Sequence, residues 1–461
     1  MTSAWLTTKA TPLSREGEWT ATRVMPISFS IARALLVATL FLAPLDFGAV
    51  EPWAWAMLAA MASLLLLLWA IGCVQRSTVR LHWSPLYVPA ALFLALGLVQ
   101  YVARLSLNPY ATWESLIKLL TDLIFFFLAG QLWADASETA CRRFGLVVSG
   151  YAFALSLFAI IQSLSSRGAI YWAVKIPRDP AFGPYVNHNH YAGLMEMLIP
   201  LGAASFLSLP NGSPGRALLG FAVLVPVASV FLSGSRGGFI ALLVEIVLLG
   251  IFLRRDLPDL SRERLRMTVM FGIIGAALMF FWADPGGRIS KHLATIADFP
   301  EAPDAVSGGR IPVWKDTLHM IRRNLWTGVG MGSFESAYPQ YQSFSTDLVW
   351  NHAHNDYLEA AAETGLPGMI LILAALGIFV QRVRARLKER AQAASGWLQA
   401  GAALGCCGLL VHSLSDFNLR IPANAAWFAV LLAIATENRG VQPGDLRRRE
   451  TACSMGHGRA W

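Results

Sequence analysis

Residues 216–253 read RALLGFAVLVPVASVFLSGSRGGFIALLVEIVLLGIFL. Two apolar runs, 216–233 and 237–253, are parted only by a turn through Gly234, Ser235 and Arg236. A helix needs about 20 mostly apolar residues to cross bilayer hydrocarbon. Two such runs joined so closely form a tight re-entry at one membrane face. Working outward, comparable runs fall near 30–46, 53–73, 85–104, 114–134, 144–164, 188–209, 267–283, 366–381, 397–415 and 421–437. The chain therefore reads as an all-α, polytopic membrane protein of about 12 transmembrane helices.

Composition agrees with a hydrocarbon solvent. Of 461 residues, 55% are hydrophobic and 14% are charged, whereas a soluble chain carries about 25% charged residues. The 16 Trp suit membrane–water interfaces. The net charge of +8 does not point to nucleic acid, because Lys and Arg fall between apolar runs and no zinc-finger spacing or basic recognition helix is present. None of the five Cys lies in the long loop described below, so neither a disulfide framework nor a metal cluster is expected there. The first apolar run, from about Ile31, lacks a small-residue cleavage site and reads as retained.

Lys and Arg in short loops set orientation. With the N-terminus in the cytoplasm, the inner loops hold Arg76 and Arg80, Arg142 and Arg143, Arg216, the run Arg254 to Arg266, and the run Arg382 to Arg390. The loop at 165–187, with Arg167, Lys175 and Arg178, dissents. This pattern puts both termini in the cytoplasm and places Arg236 and the stretch 284–354 outside. The expected organisation is a cytoplasmic tail (1–29), N-terminal transmembrane helices (30–184), a second transmembrane domain (185–437) that includes the loop 284–354, and a cytoplasmic tail (438–461). That loop far exceeds ordinary helix–helix connections. Its Trp314, Leu318, Ile321, Trp326, Phe334, Tyr338 and Tyr341 are spaced as in one or two amphipathic helices.

Four polar segments can carry chemistry. Arg236 sits among glycines at the start of a helix, where accessible N–H groups, a positive helix end and a guanidinium make a phosphate site; a snorkelling arginine is the simpler alternative. Arg310, in Ser307-Gly308-Gly309-Arg310 ahead of Trp314, is a second phosphate or sugar contact, or else a solvated charge. His352 and His354 precede Asn355, Asp356 and Glu359. Their i, i+2 spacing is poor for a helical metal site and better for a proton acceptor near neutrality; a polar helix entry is the alternative. Asn187, His188, Asn189 and His190 open the sixth span and read as sugar contacts or as a cap at Asn189. Ionisable residues inside spans are Lys118, Asp122, Glu196, Glu245 and His412, with Lys118 and Asp122 expected to pair at i, i+4. Phosphate-loop, dinucleotide and nucleophile-elbow motifs are missing from the sequence.

Taken together, these segments resemble the O-antigen ligase family of bacterial envelope glycosyltransferases, which includes polysaccharide polymerases and protein O-oligosaccharyltransferases. The signature of that family, His, then Asn/Ser/Gln, nine residues, Gly, two residues and Gly/Thr/Tyr, reads here as His354, Asn355, Gly365 and Gly368. The Arg236 turn, the stretch from Gly309 and Arg310 to Trp314, the run Gly328 to Phe334 and the run His412 to Leu419 also look like family segments. The resemblance covers roughly 185–435. It implies a GT-C-type membrane glycosyltransferase in the bacterial inner membrane, with its active site facing the periplasm. The donor would be a glycan on undecaprenyl diphosphate. The acceptor would be lipid A-core, a growing O-antigen or exopolysaccharide chain, or a protein. The resemblance implies an inverting ligase or polymerase without cofactor or metal. His354 and Arg236 are the expected catalytic residues; Arg310, Asn355, Glu359, Asn187, Asn189 and His190 are the expected substrate contacts. The rival class is a transporter or flippase of polysaccharide or lipid-linked glycan. It is disfavoured because two matched halves with broken helices are not visible and the polar motifs gather at one face. A non-catalytic assembly scaffold is a third reading.

Overall fold

A computed structural model describes residues 26–77, 79–175, 181–210, 212–256, 310–346, 349–389 and 393–437. The expected ninth span (267–283), the first part of the long loop and the two tails up to 25 and from 438 lie outside the described residues.

The order begins α1 (Ile27–Leu42), α2 (Pro52–Gln75), α3 (Tyr87–Val102), α4 (Pro109–Ala134) and α5 (Glu138–Ser165). A two-residue hairpin of β1 (Ala169–Ile170) and β2 (Val174–Lys175) comes next, then α6 (His188–Ser208), α7 (Gly215–Ser233) and α8 (Arg236–Asp256). After 310 come α9 (Arg310–Arg323), a single turn α10 (Phe334–Ala337), α11 (Asp356–Glu389), α12 (Ala394–His412) and α13 (Pro422–Thr436). Among the described residues, nine helices are long and apolar enough to cross a membrane, and α3 and α13 are shorter apolar helices. The protein is thus all-α and polytopic.

Local chemistry explains the helix starts. Pro52, Pro109 and Pro422 occupy first helical positions, where a missing N–H costs nothing. Asn108 caps α4 by accepting from Ala111 N at 3.2 Å, and Ser137 caps α5 by accepting from Ala140 N at 3.2 Å. The α7–α8 re-entry turns on Gly234, whose φ of 75° ends α7 in the left-handed region that glycine adopts freely.

Helices α6 and α12 form the buried centre. Lipid gives little hydrophobic drive between helices, so close packing and hydrogen bonds hold the bundle. Gly401 and Gly405 of α12 lie against the α6 backbone at Leu201 and Met197. Tyr191 Oη donates to Ser229 Oγ at 2.7 Å, joining α6 to α7, and Trp427 Nε1 donates to Leu40 O at 2.7 Å, joining α13 to α1. Such bonds are worth about 0.6 kcal/mol each in a bilayer.

Two local expectations change. The apolar run 366–381 predicts a helix of that extent, but α11 begins at Asp356 because a polar helical segment stacks onto it through a kink at Gly365, with φ 64°. Lys118 does not pair with Asp122; its ammonium donates to Glu114 Oε1 at 2.6 Å, one turn toward the start of α4, and stands over the Trp55 ring.

Candidate functional site

A cavity of about 1610 Å³ opens at the end of the bundle where α6, α8 and α11 begin and α12 stops. Its mouth is polar, with Arg236, Arg310, His190, His352, His354, Glu359 and Arg420 in its lining. Deeper in, it continues between mostly apolar side chains of α2, α4, α11 and α13, including Leu58, Leu119, Phe126, Ile372, Phe379 and Leu432, with Glu114, Lys118 and Asp122 of α4 also in its lining.

Arg236 enters the mouth from the first residue of α8. Ser235 Oγ accepts from Gly238 N at 3.1 Å and caps that helix, leaving its positive end at the cavity. Below the turn, the buried His412 Nδ1 lies 2.9 Å from Glu196 Oε1. Gly237 packs directly against the His412 ring, so the absence of a side chain at 237 lets α8 approach α12.

Asp416, in the link between α12 and α13, is the electrostatic hub. Its fully buried carboxylate lies 3.6 Å from Arg310, 3.6 Å from His354 Nδ1 and 3.7 Å from His190 Nε2. Asn189 Nδ2 donates to its Oδ2 at 2.5 Å. Burial pushes the Asp416 carboxyl up, but His190, His354 and Arg310 more than reverse this and hold it well below the usual carboxylate range. The imidazole distances are those of ion pairs rather than direct hydrogen bonds.

A second network flanks the first. His352 Nδ1 lies 2.9 Å from Glu359 Oε1, and Ala353 N donates to Glu359 Oε2 at 2.9 Å. Arg420 bridges Glu359 at 3.3 Å and Glu363 at 2.5 Å. Burial lowers the His352 pKa and Glu359 outweighs it, so the net shift is upward. Phe417 joins the networks: His352 stacks on its ring at 4.1 Å, and His354 and His190 meet its edge at 4.9 and 4.7 Å.

His354 has a φ of 49°, a left-handed conformation unusual for a residue with a side chain. The next two residues hold this strain in place. Asn355 Oδ1 accepts from Tyr357 N and Leu358 N at 3.0 Å, its Nδ2 donates to Leu414 O at 2.8 Å, and Asp356 N donates to Ser413 O at 3.0 Å. The segment is braced from the other side by Trp314 Nε1, which donates to Ala353 O at 2.9 Å. His354→Gly is therefore expected to be more stable than His354→Ala by about 1–2 kcal/mol; equal thermal midpoints for the two purified variants would show that the backbone at 354 is unstrained.

Of the residues singled out in the sequence, His354, Arg236, Arg310, Glu359, Asn187, Asn189 and His190 all line this one cavity. Asn355 is instead spent on the α11 cap. Asn187, not Asn189, caps α6, accepting from Asn189 N at 2.8 Å; Asn189 is thereby left to bond Asp416. Glu359 orients His352 rather than His354. Asp416, Phe417 and Arg420 are not among the site residues expected from the sequence, and His352 is expected only as a neighbour of His354. The available signal is an Asp and an Arg in a short link between two apolar runs. Among the described residues, no group of three or more His, Cys, Asp or Glu side chains is disposed to hold a metal ion.

Compared with known proteins, residues 221–373 match the family model described as O-antigen ligase. This segment contains Arg236, Arg310, His354 and Glu359, but not Asp416. No curated protein matches the chain.

Proposed function

From the O-antigen ligase domain that residues 221–373 carry, we propose that this multi-pass membrane protein transfers or polymerises a glycan from a polyprenyl-diphosphate donor, undecaprenyl diphosphate in a bacterial inner membrane, on the periplasmic face. The observation that carries the reading is the shape of one cavity. A mouth holding three arginines and several imidazoles leads into a mainly apolar groove between spans. A lipid-linked diphosphate needs both surroundings at once.

In this reading the lipid chain lies in the groove and the diphosphate sits at the mouth beside Arg236, at the start of α8. As the glycosyl C1–O bond breaks, the electron pair passes to the diphosphate oxygen, and Arg236 and Arg310 offset the growing charge. His354 takes the proton of the acceptor hydroxyl as the new C1–O bond forms. Attack opposite the leaving group inverts the anomeric carbon, and the step needs no nucleotide and no metal. Asp416 turns one imidazole nitrogen of His354 toward itself, which leaves Nε2 for the acceptor. Asn187, Asn189, His190 and Glu359 frame the mouth. The acceptor is a polysaccharide chain, lipid A-core or a protein.

Arg236 provides the test. With a polyprenyl-diphosphate glycan and a candidate acceptor, Arg236→Ala should lose about 10²–10³ in turnover, the cost of one oxyanion donor. Arg236→Lys keeps the charge but loses the fork and should recover only part. Full activity of Arg236→Lys would remove the diphosphate from this site. Sidedness is tested separately: tags at the Arg236 turn and the His354 segment should both be reached from the periplasm.

A further inference from the structure

Helix α9 has two different faces. Val313, Asp316, Thr317 and Met320 are buried, with Asp316 Oδ2 accepting from Tyr338 Oη and Ser343 N at 3.1 Å. The opposite stripe, Lys315, Leu318, His319 and Arg322, is exposed, as are Arg323, Leu325 and Trp326. Every exposed charge from 310 to 327 is therefore basic, and Lys315, Arg322 and Arg323 make no ion pair among the described residues. Trp326 is 70% exposed, a large apolar surface for a tryptophan beside two arginines.

The patch is tied to α11. Leu366 N donates to Leu325 O at 2.7 Å, so the end of the α9 turn is bonded to the kink at Gly365. Beyond the kink, Leu366, Ile370 and Leu373 are exposed, on a helix whose apolar stretch is only 11% buried. An exposed apolar stripe on a membrane-crossing helix suits contact with lipid. Leu325 and Trp326 are exposed beside it, and tryptophan is favoured at the edge of the hydrocarbon. Arg322 and Arg323 precede them in the last turn of α9. An exposed amphipathic helix with basic and aromatic residues on its free side is the pattern of interfacial binding.

We propose that the last turn of α9 with Leu325 and Trp326 is a docking site for anionic phospholipid headgroups of the leaflet on which the cavity opens. The patch lies outside the cavity, so this inference is independent of the glycosyl-transfer reading. It also has a consequence for the site. The same helix braces Ala353 through Trp314, so lipid bound to its outer face steadies the residue next to His354.

The test uses the full chain in proteoliposomes containing photoreactive phosphatidylglycerol or photoreactive phosphatidylcholine, with cross-links mapped to the 315–327 segment. Phosphatidylglycerol should label it in preference. Arg322→Gln with Arg323→Gln should lower that labelling by roughly fivefold per arginine with an unchanged thermal midpoint, while Arg322→Lys with Arg323→Lys should retain it. Equal labelling by both lipids, or undiminished labelling of the glutamine variant, would overturn the proposal. Suppression by inorganic phosphate would overturn it too, by showing a bare phosphate site. If the glutamine variant kept its lipid labelling but needed more glycan acceptor for half-maximal transfer, the patch would belong to the acceptor instead.

Discussion

Purified His354→Ala protein is expected to transfer glycan about 10²–10⁴-fold more slowly than the wild type, the range for losing a positioned general base. Folding should be little disturbed. The His354 side chain is part-exposed to the cavity, and its backbone neighbours are held by Asn355, Asp356 and Ala353 rather than by the imidazole. The loss should appear in turnover more than in donor affinity, because the diphosphate is assigned to Arg236 and Arg310. Raising the pH and supplying imidazole should restore part of the rate if a missing base is the defect. His352→Ala is the informative comparison. His352 is two residues away in the same cavity, but its Nδ1 is committed to Glu359. Removing it should disturb the mouth without removing the base. An undiminished rate for His354→Ala together with a lost rate for His352→Ala would exchange the two assignments.

The membrane architecture was legible because hydrocarbon imposes a length and an apolarity that no other solvent demands. The pair 216–233 and 237–253 corresponds to α7 and α8 within a few residues, and Gly234 marks the turn between them. The start of α11 was not legible in the same way. Residues 356–364 are polar enough to fall below any span criterion, and only the Gly365 kink shows how they stack on the apolar helix. The site divides along a similar line. His354 and Arg236 stand out locally, one in a polar run before an apolar helix and the other among glycines. Asp416 acts through space: its partners Asn189, His190, Arg310 and His354 come from three other segments. No local pattern encodes that meeting. The same holds for Lys118, whose i, i+4 spacing to Asp122 suggests a pair, whereas its ammonium bonds Glu114, equally spaced on the other side.

Asp416→Ala is expected to have the largest effect on folding among substitutions around the cavity. The carboxylate is fully buried, at ion-pair distance from Arg310, His190 and His354, and it accepts from Asn189. Removing one partner of a buried charge cluster leaves the others uncompensated, at a cost of about 3–5 kcal/mol. The alanine variant should therefore show a markedly lower thermal midpoint in detergent. Asp416→Asn separates charge from shape, since an amide oxygen can still accept from Phe417 N, which now bonds Asp416 Oδ1 at 2.8 Å. That variant should fold better than the alanine and still transfer glycan roughly 10²-fold more slowly. The equivalent change in a Ser–His–Asp triad costs about 10⁴, and the longer His354 separation here makes the coupling weaker. The pH dependence identifies the charge. The folded carboxyl is held below its unfolded value of about 3.9, so its stabilisation is complete above that pH and is lost as pH falls through the depressed folded value. As pH falls below about 4, the midpoint difference between wild type and Asp416→Asn should shrink. A difference that did not shrink there would mean that the carboxyl is already protonated in the folded protein, and Asp416 would then be no anchor for His354.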